Sequence, residues 1–271
     1  MRRLALVFLV IFAPHLAFAQ SVEERRVLDL VGFAEIVEIM RLEGLADGQS
    51  IPQDIMGYEG SSNWDAELQR IYDTESLLAE LETSFVEAFD WRFAEESIAF
   101  LETPAWQDAL SLEVSARKAM LEPGVEEAVL AGAWDEAGRN SARGRLTRRL
   151  MAEAEFVEKN VEGSMRSMLA FYLGLMDGGF DLGISEGDLY SMILSEEDAL
   201  YDDIDEWLFA VLLMAYDPLE KEQIEEQIEF WQTEAGAALN DAMFEAFDAM
   251  FVDLSFQLGV SAAKLLQERV L

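Results

Sequence analysis

Two stretches decide the fold: EESIAFLETPAWQDALSLEVSARKAM at 95–120 and EEQIEFWQTEAGAALNDAMFEAFDAM at 225–250. At a constant offset of 130, nine of their 26 positions are identical. The matches are Glu95/Glu225, Glu96/Glu226, Ile98/Ile228, Phe100/Phe230, Thr103/Thr233, Ala105/Ala235, Ala116/Ala246, Ala119/Ala249 and Met120/Met250. Self-similarity at fixed spacing is the mark of a repeated supersecondary unit. Each copy has a mechanical reading. A short amphipathic helix ends at Phe100-Leu101 or Phe230-Trp231, and Thr103 or Thr233 caps a new helix after a bend. Upstream, Tyr72-Asp73 matches Tyr201-Asp202 at an offset of 129.

Outward from these stretches the chain reads as helix nearly throughout. Ser21 with Glu24, Thr103-Pro104, Asp217-Pro218, Ser185 with Asp188, and Ser195 with Asp198 are helix-start signals. Stops fall at Gly44, Gly57 to Gly60, Pro123-Gly124, Gly138, Gly178-Gly179 and Gly183. Leu146, Leu150, Val157, Val161, Met165, Met168 and Tyr172 form one stripe, which predicts a single long helix from Ser141 to Met176. A last helix carries Phe244, Phe247, Phe251, Leu254 and Leu258 on one side. Residues 44–63 read as loop. No stretch alternates as a strand does. The expectation is an all-α fold, with two related helical-hairpin units joined by a long central helix. Its divisions are 20–65 (N-terminal helix and loop), 66–140 (first unit), 141–184 (linking helix) and 185–271 (second unit).

The second copy with its approach, Tyr216 onward, resembles the signature of the DUF 2059 family of bacterial exported proteins. That pattern has a Tyr, a short acidic helix, a Phe-aromatic pair, then Ser/Thr-Pro-x-Gly and a long helix. Here Tyr216, Glu226, Phe230, Trp231, Thr233, Ala235 and Gly236 occupy those places. The first copy is similar through Phe100, Thr103, Pro104 and Ala105. It departs from the pattern at Trp106, where glycine is expected, as the second does at Glu234, where proline is expected. The resemblance covers about 60 residues per copy. It implies an all-helical periplasmic protein and carries no catalytic residue with it.

The N-terminus reads as a secretory signal. Arg2-Arg3 precedes an apolar run from Leu4 to Phe12, and Ala17-Phe18-Ala19 gives a small-x-small cleavage site. Cleavage between Ala19 and Gln20 removes His15, the one histidine of a chain without cysteine. That excludes disulfides, thiolate and histidine catalysis and ordinary zinc sites from a mature form. Loss of Arg2 and Arg3 takes the formal charge from −35 to −37. Such a surface repels phosphate, so nucleic acid and anionic membranes are poor partners and cationic ones are permitted. No later apolar run reads as long enough to span a membrane, the longest being Leu208 to Ala215.

The sequence names no catalytic, cofactor-binding or metal-ligating residue. Acidic clusters (Glu95-Glu96, Asp202-Asp203 with Asp205-Glu206, Glu225-Glu226) read as solvated helix faces. Asp177, Asp181, Glu186 and Asp188 match no complete calcium loop. Arg139, Arg143, Arg145, Arg148 and Arg149 form the one basic cluster, a candidate anion or partner contact. Pairing within the chain, as from Arg149 to Glu153, is the competing reading. Met165, Met168 and Met176 read as core. Ser255, Gly259 and Ala263 form a small-residue row that suggests close helix approach. The function expected is non-enzymatic binding of a peptide, protein or apolar ligand in the cell envelope, without cofactor. The alternative is a hydrolase working through carboxylates alone. A binder should show an apolar groove with a polar rim, and an enzyme a concave pair of raised-pKa carboxylates.

Overall fold

A computed structural model describes residues 14–56, 62–133 and 140–270. Most of the expected signal, residues 57–61, Gly138 and Arg139 lie outside them. The described residues are helical, with no strand among them. In chain order the helices are α1 (Pro14–Val31), α2 (Phe33–Gly48), α3 (Ile51–Met56), α4 (Ser62–Ile71) and α5 (Thr74–Ala88). A 3-10 turn, Trp91–Phe93, leads to α6 (Ala94–Leu101), α7 (Pro104–Met120) and α8 (Val125–Ala133). Then come α9 (Ala142–Glu153), α10 (Phe156–Asp177), α11 (Glu186–Ser195), α12 (Glu197–Ala215), α13 (Lys221–Trp231) and α14 (Glu234–Val270).

The spine is α14. It packs against α10 along their length and also meets α4, α5, α6 and α13. Small residues set that closeness. A Cβ at Gly259 would lie 2.1 Å from the Phe171 carbonyl oxygen, and one at Gly174 would lie 2.2 Å from that of Phe256. The backbones therefore touch, as the Ser255–Gly259–Ala263 row suggests. By length and composition, Glu234–Gln267 is also apolar enough to cross a membrane, which the sequence reading did not recognise. Of its apolar window, 44% is buried inside the protein.

Several local expectations are corrected. The helix foreseen over Ser141–Met176 is two, because Glu155 takes φ +52° and turns the chain. Asn240 Nδ2 donates to the Ala154 carbonyl freed at that break (2.9 Å). Residues 44–63, read as loop, are largely helical where described. Gly44 sits within α2, where a Cβ would meet the Tyr72 ring at 2.1 Å. Its role there is close packing, not termination. Ser21 lies inside α1, because the Ala- and Leu-containing residues before it are good helix formers. Asp217 caps nothing. Residues 216–219 form a turn, and Glu220 with Gln223 makes the capping box of α13. Ser195 ends α11 and donates back to the Met192 carbonyl (2.6 Å). Tyr72 and Tyr201 are not alike either. Asp73 caps α5, whereas Tyr201-Asp202 lies within α12. The Ser185/Asp188 capping box forms as expected.

Both expected bends are present. At each, the threonine hydroxyl accepts a hydrogen bond from a backbone N–H of the next helix. The donors are Trp106 to Thr103 (3.4 Å) and Gly236 to Thr233 (2.9 Å). Thr103 N donates to the Phe100 carbonyl and Thr233 N to that of Phe230. The two corners face each other. Phe100 and Phe230 stack, 3.8 Å between centroids and 8° from parallel. Around them α6 packs on α14 and α7 on α13.

Candidate functional site

Beside the stacked corners lies a cavity of about 470 Å³. Its walls come from α2, α7, α10, α12, α13 and α14. The lining is mainly apolar and aromatic, with Trp106, Phe156, Trp207, Phe244, Phe247 and Phe251 prominent. The α14 phenylalanines are those the sequence placed on one side of the last helix. Phe247 also meets Phe33 edge-on at 5.7 Å, so its ring is held from behind.

A few polar groups interrupt this wall. Glu113 and Tyr216 both line it, and the Tyr216 hydroxyl donates to Glu113 Oε1. Burial pushes the Glu113 carboxyl above the usual carboxylate range. The Tyr216 hydrogen bond and the Arg117 charge pull the other way. Burial, with the charge of Glu113, raises Tyr216 well above an ordinary phenol. Arg117 is committed to Glu43 through a two-pronged contact, with Nε 3.0 Å from Oε1. Lys159 pairs with Asp241 (2.7 Å), and Asp248 pairs with Arg166. The charged wall residues other than Glu113 are thus neutralised by ion pairs.

Gln227 and Trp231 are different. They lie one turn apart on α13, so their side chains share a face. They are 2% and 6% exposed. Among the described residues neither Gln227 Nε2 nor Trp231 Nε1 has a hydrogen-bond partner. An unpaired buried donor costs about 1–3 kcal/mol, so two on one wall are unusual.

The sequence-candidate arginines are not gathered into an open cluster. Arg143 donates to the carbonyls of Tyr216 and Leu219 (2.8 Å for the latter), holding the turn after α12. Arg145 Nη1 donates to the Asn140 carbonyl at 2.5 Å. Arg148 pairs with Asp205 and lies over the Phe209 ring at 4.0 Å. Arg149 approaches Glu153 at 3.9 Å, the pairing the sequence suggested. These four make contacts within the chain, the competing reading the sequence gave, and Arg139 lies outside the described residues. Met165 packs on the core, while Met168 and Met176 are half-buried. Among the described residues, no group of three or more Asp or Glu side chains is placed to hold a metal ion.

The sequence reading missed Glu113 and Gln227. Their signal was the helical face. Glu113 falls in register with buried Ala109, Ala116 and Met120, and Gln227 sits between buried Ile224 and Trp231. A polar residue on an apolar stripe marks a buried polar site. Compared with family models, curated proteins and solved structures, the chain matches none.

Proposed function

We propose that this is an exported, non-enzymatic protein that binds an apolar small molecule in the cavity between α2, α7, α10 and α12–α14. The observation carrying this reading is the cavity itself. Its volume of about 470 Å³ and its aromatic lining with few polar groups are the features of ligand sites. A space of that size suits a small ligand better than an extended peptide. A peptide or envelope-protein partner, cationic to match the acidic surface, is the second version of a binding role. The rival reading, a hydrolase using carboxylates, draws on Glu113. Asp248 lies on the same wall, and burial raises it too; what favours binding is that each carboxylate is already engaged, Glu113 by the Tyr216 hydroxyl and Asp248 by Arg166.

The export part of the proposal rests on residues 1–19, whose pattern fits a cleaved signal leading to the periplasm or outside. Cleavage after Ala19 would leave the remainder of α1 starting near Ser21. The duplication part rests on the nine identities, the matching corner bonds and the reciprocal packing of α6 on α14 and α7 on α13. The proposed kinship to the DUF 2059 family rests on the same corner residues.

The test is titration with an environment-sensitive apolar dye. The expected result is saturable one-to-one binding that quenches tryptophan emission, since Trp106, Trp207 and Trp231 line the cavity. Ser164 is half-buried on the wall, so Ser164→Phe should fill the space and abolish binding while circular dichroism stays helical. Dye binding unaffected by Ser164→Phe would contradict the proposal.

A further inference from the structure

The reading of the cavity as a ligand site leaves open what the ligand looks like, and the charges on the wall narrow it. Resting on that reading, we infer that the ligand is an apolar amine, whose protonated nitrogen meets Glu113 while its alkyl or aryl body lies against the aromatic wall. Trp106, Leu110, Glu113, Val114 and Arg117 form the face of α7 that lines the cavity. Glu113 Oε1 accepts from the Tyr216 hydroxyl. Oε2 has no hydrogen-bond or ion-pair partner among the described residues, yet it is not one of the atoms sealed in the core. It therefore opens onto accessible space. The residue is half-buried, and the carboxyl is enclosed deeply enough for burial to raise it. The accessible space beside Oε2 is thus the cavity that Glu113 lines, not open solvent.

The balance of charge on the wall selects a cation. Arg117 is committed to Glu43, Lys159 to Asp241 and Asp248 to Arg166. Among the described residues of the wall, Glu113 is the one charged group without an ion-pair partner. An ammonium group supplies both the missing charge and an N–H donor for Oε2. It also reverses the push of burial, because a cation beside the carboxyl holds it ionised. A ligand carboxylate would meet Glu113 as a like charge and find Arg117 and Lys159 already paired. A plain hydrocarbon would leave Oε2 unsatisfied.

The rest of the wall suits the same molecule. The rings of Trp106, Trp207 and Trp231 line the space, and the face of an indole attracts a cation as well as apolar carbon. The chain as a whole, at formal charge −35, draws cations towards its surface.

The experiment uses the full chain with the apolar dye bound, and three competitors with matched alkyl chains: decylamine, decanol and decanoate. It is run at neutral pH and physiological salt, which screens attraction to the outer surface. Decylamine should bind at least about tenfold more tightly than decanol, the range expected for a hydrogen bond to a charged group. Decanoate should bind least. Glu113→Gln keeps the shape of the side chain and should bring decylamine down to the affinity of decanol, with decanol little changed. Glu96→Gln removes an equal charge from the exposed side of α6 and should leave the amine preference intact. Equal binding of decylamine and decanol by the parent, a preference for decanoate, or an amine preference that survives Glu113→Gln would overturn this inference and leave the cavity reading standing. Failure of all three competitors to displace the dye would overturn the cavity reading, and this inference with it.

Discussion

The two corners, Phe100–Trp106 and Phe230–Gly236, share a bonding pattern and differ in what fills it. At the first, Pro104 opens the helix and Trp106 stands at the third helical position, with a cap bond of 3.4 Å. At the second, Gly236 stands there and the cap bond is 2.9 Å. The reason is steric. A Cβ at Gly236 would lie 2.0 Å from the Phe230 carbonyl oxygen, so this corner closes only without a side chain. The wider first corner accommodates an indole, which reaches across to the Leu30 carbonyl of α1. One corner therefore anchors the N-terminal helix. Next to the other, tighter one, Trp231 Nε1 and Gln227 Nε2 are buried without a partner, and both residues belong to the cavity wall. One geometry supports structure in one place and a candidate site in the other.

That comparison can be broken by mutation. The largest effect should come from the stacked rings. Phe230→Ala and Phe100→Ala should each destabilise by about 3–5 kcal/mol, because both rings are buried. Denaturant unfolding of the double variant should show a coupling of about 1 kcal/mol for the stacked pair. Additive losses would mean the corners do not support each other. Next, Gly236→Ala should cost about 1–3 kcal/mol by overpacking the tight corner. A neutral result would show that the second corner is no tighter than the first.

The caps give a smaller contrast. Thr233→Ala should cost about 1 kcal/mol, and Thr103→Ala should cost less, since its bond is longer and Pro104 already favours the helix start. The reverse order in thermal melts would undo the structural comparison. The gentlest effect is a slope with pH. Burial raises Glu113, so the folded state favours its protonated form. That contribution is complete below the unfolded carboxylate value of about 4.3 and is lost as pH rises through the raised folded value. Glu113→Gln stays neutral and should gain on the parent chain in melting temperature over that climb. A pH-independent difference would place the Glu113 carboxyl in an ordinary solvated setting.

How far the sequence spoke can be seen residue by residue. The all-helical class followed from apolar spacing and caps, and both threonine corners came from local chemistry alone. The Ser141–Met176 helix failed because its break is tertiary. Glu155 adopts a left-handed backbone where Asn240, far away in sequence, donates to the freed Ala154 carbonyl. Gly44 was misread for a related reason, since its demand comes from the Tyr72 ring and not from its neighbours. The arginines drew attention because charge clusters stand out in an acidic chain; Arg143, Arg145, Arg148 and Arg149 each make contacts within it. The cavity was hidden in a different way. Its phenylalanines were visible as a stripe, but a stripe does not reveal whether its face meets a partner or a space. Glu113 and Gln227 were legible only as polar residues in apolar register, a weak signal among so many acidic side chains.

The central claim is that the cavity beside the stacked corners receives an apolar ligand. The most direct test is a crystal structure grown with an alkyl ester brominated at its far end. The account predicts anomalous bromine density inside the aromatic wall, among Trp106, Trp207, Phe244, Phe247 and Phe251. A cavity filled by the protein's own side chains, or bromine found only on the outer surface, would contradict it.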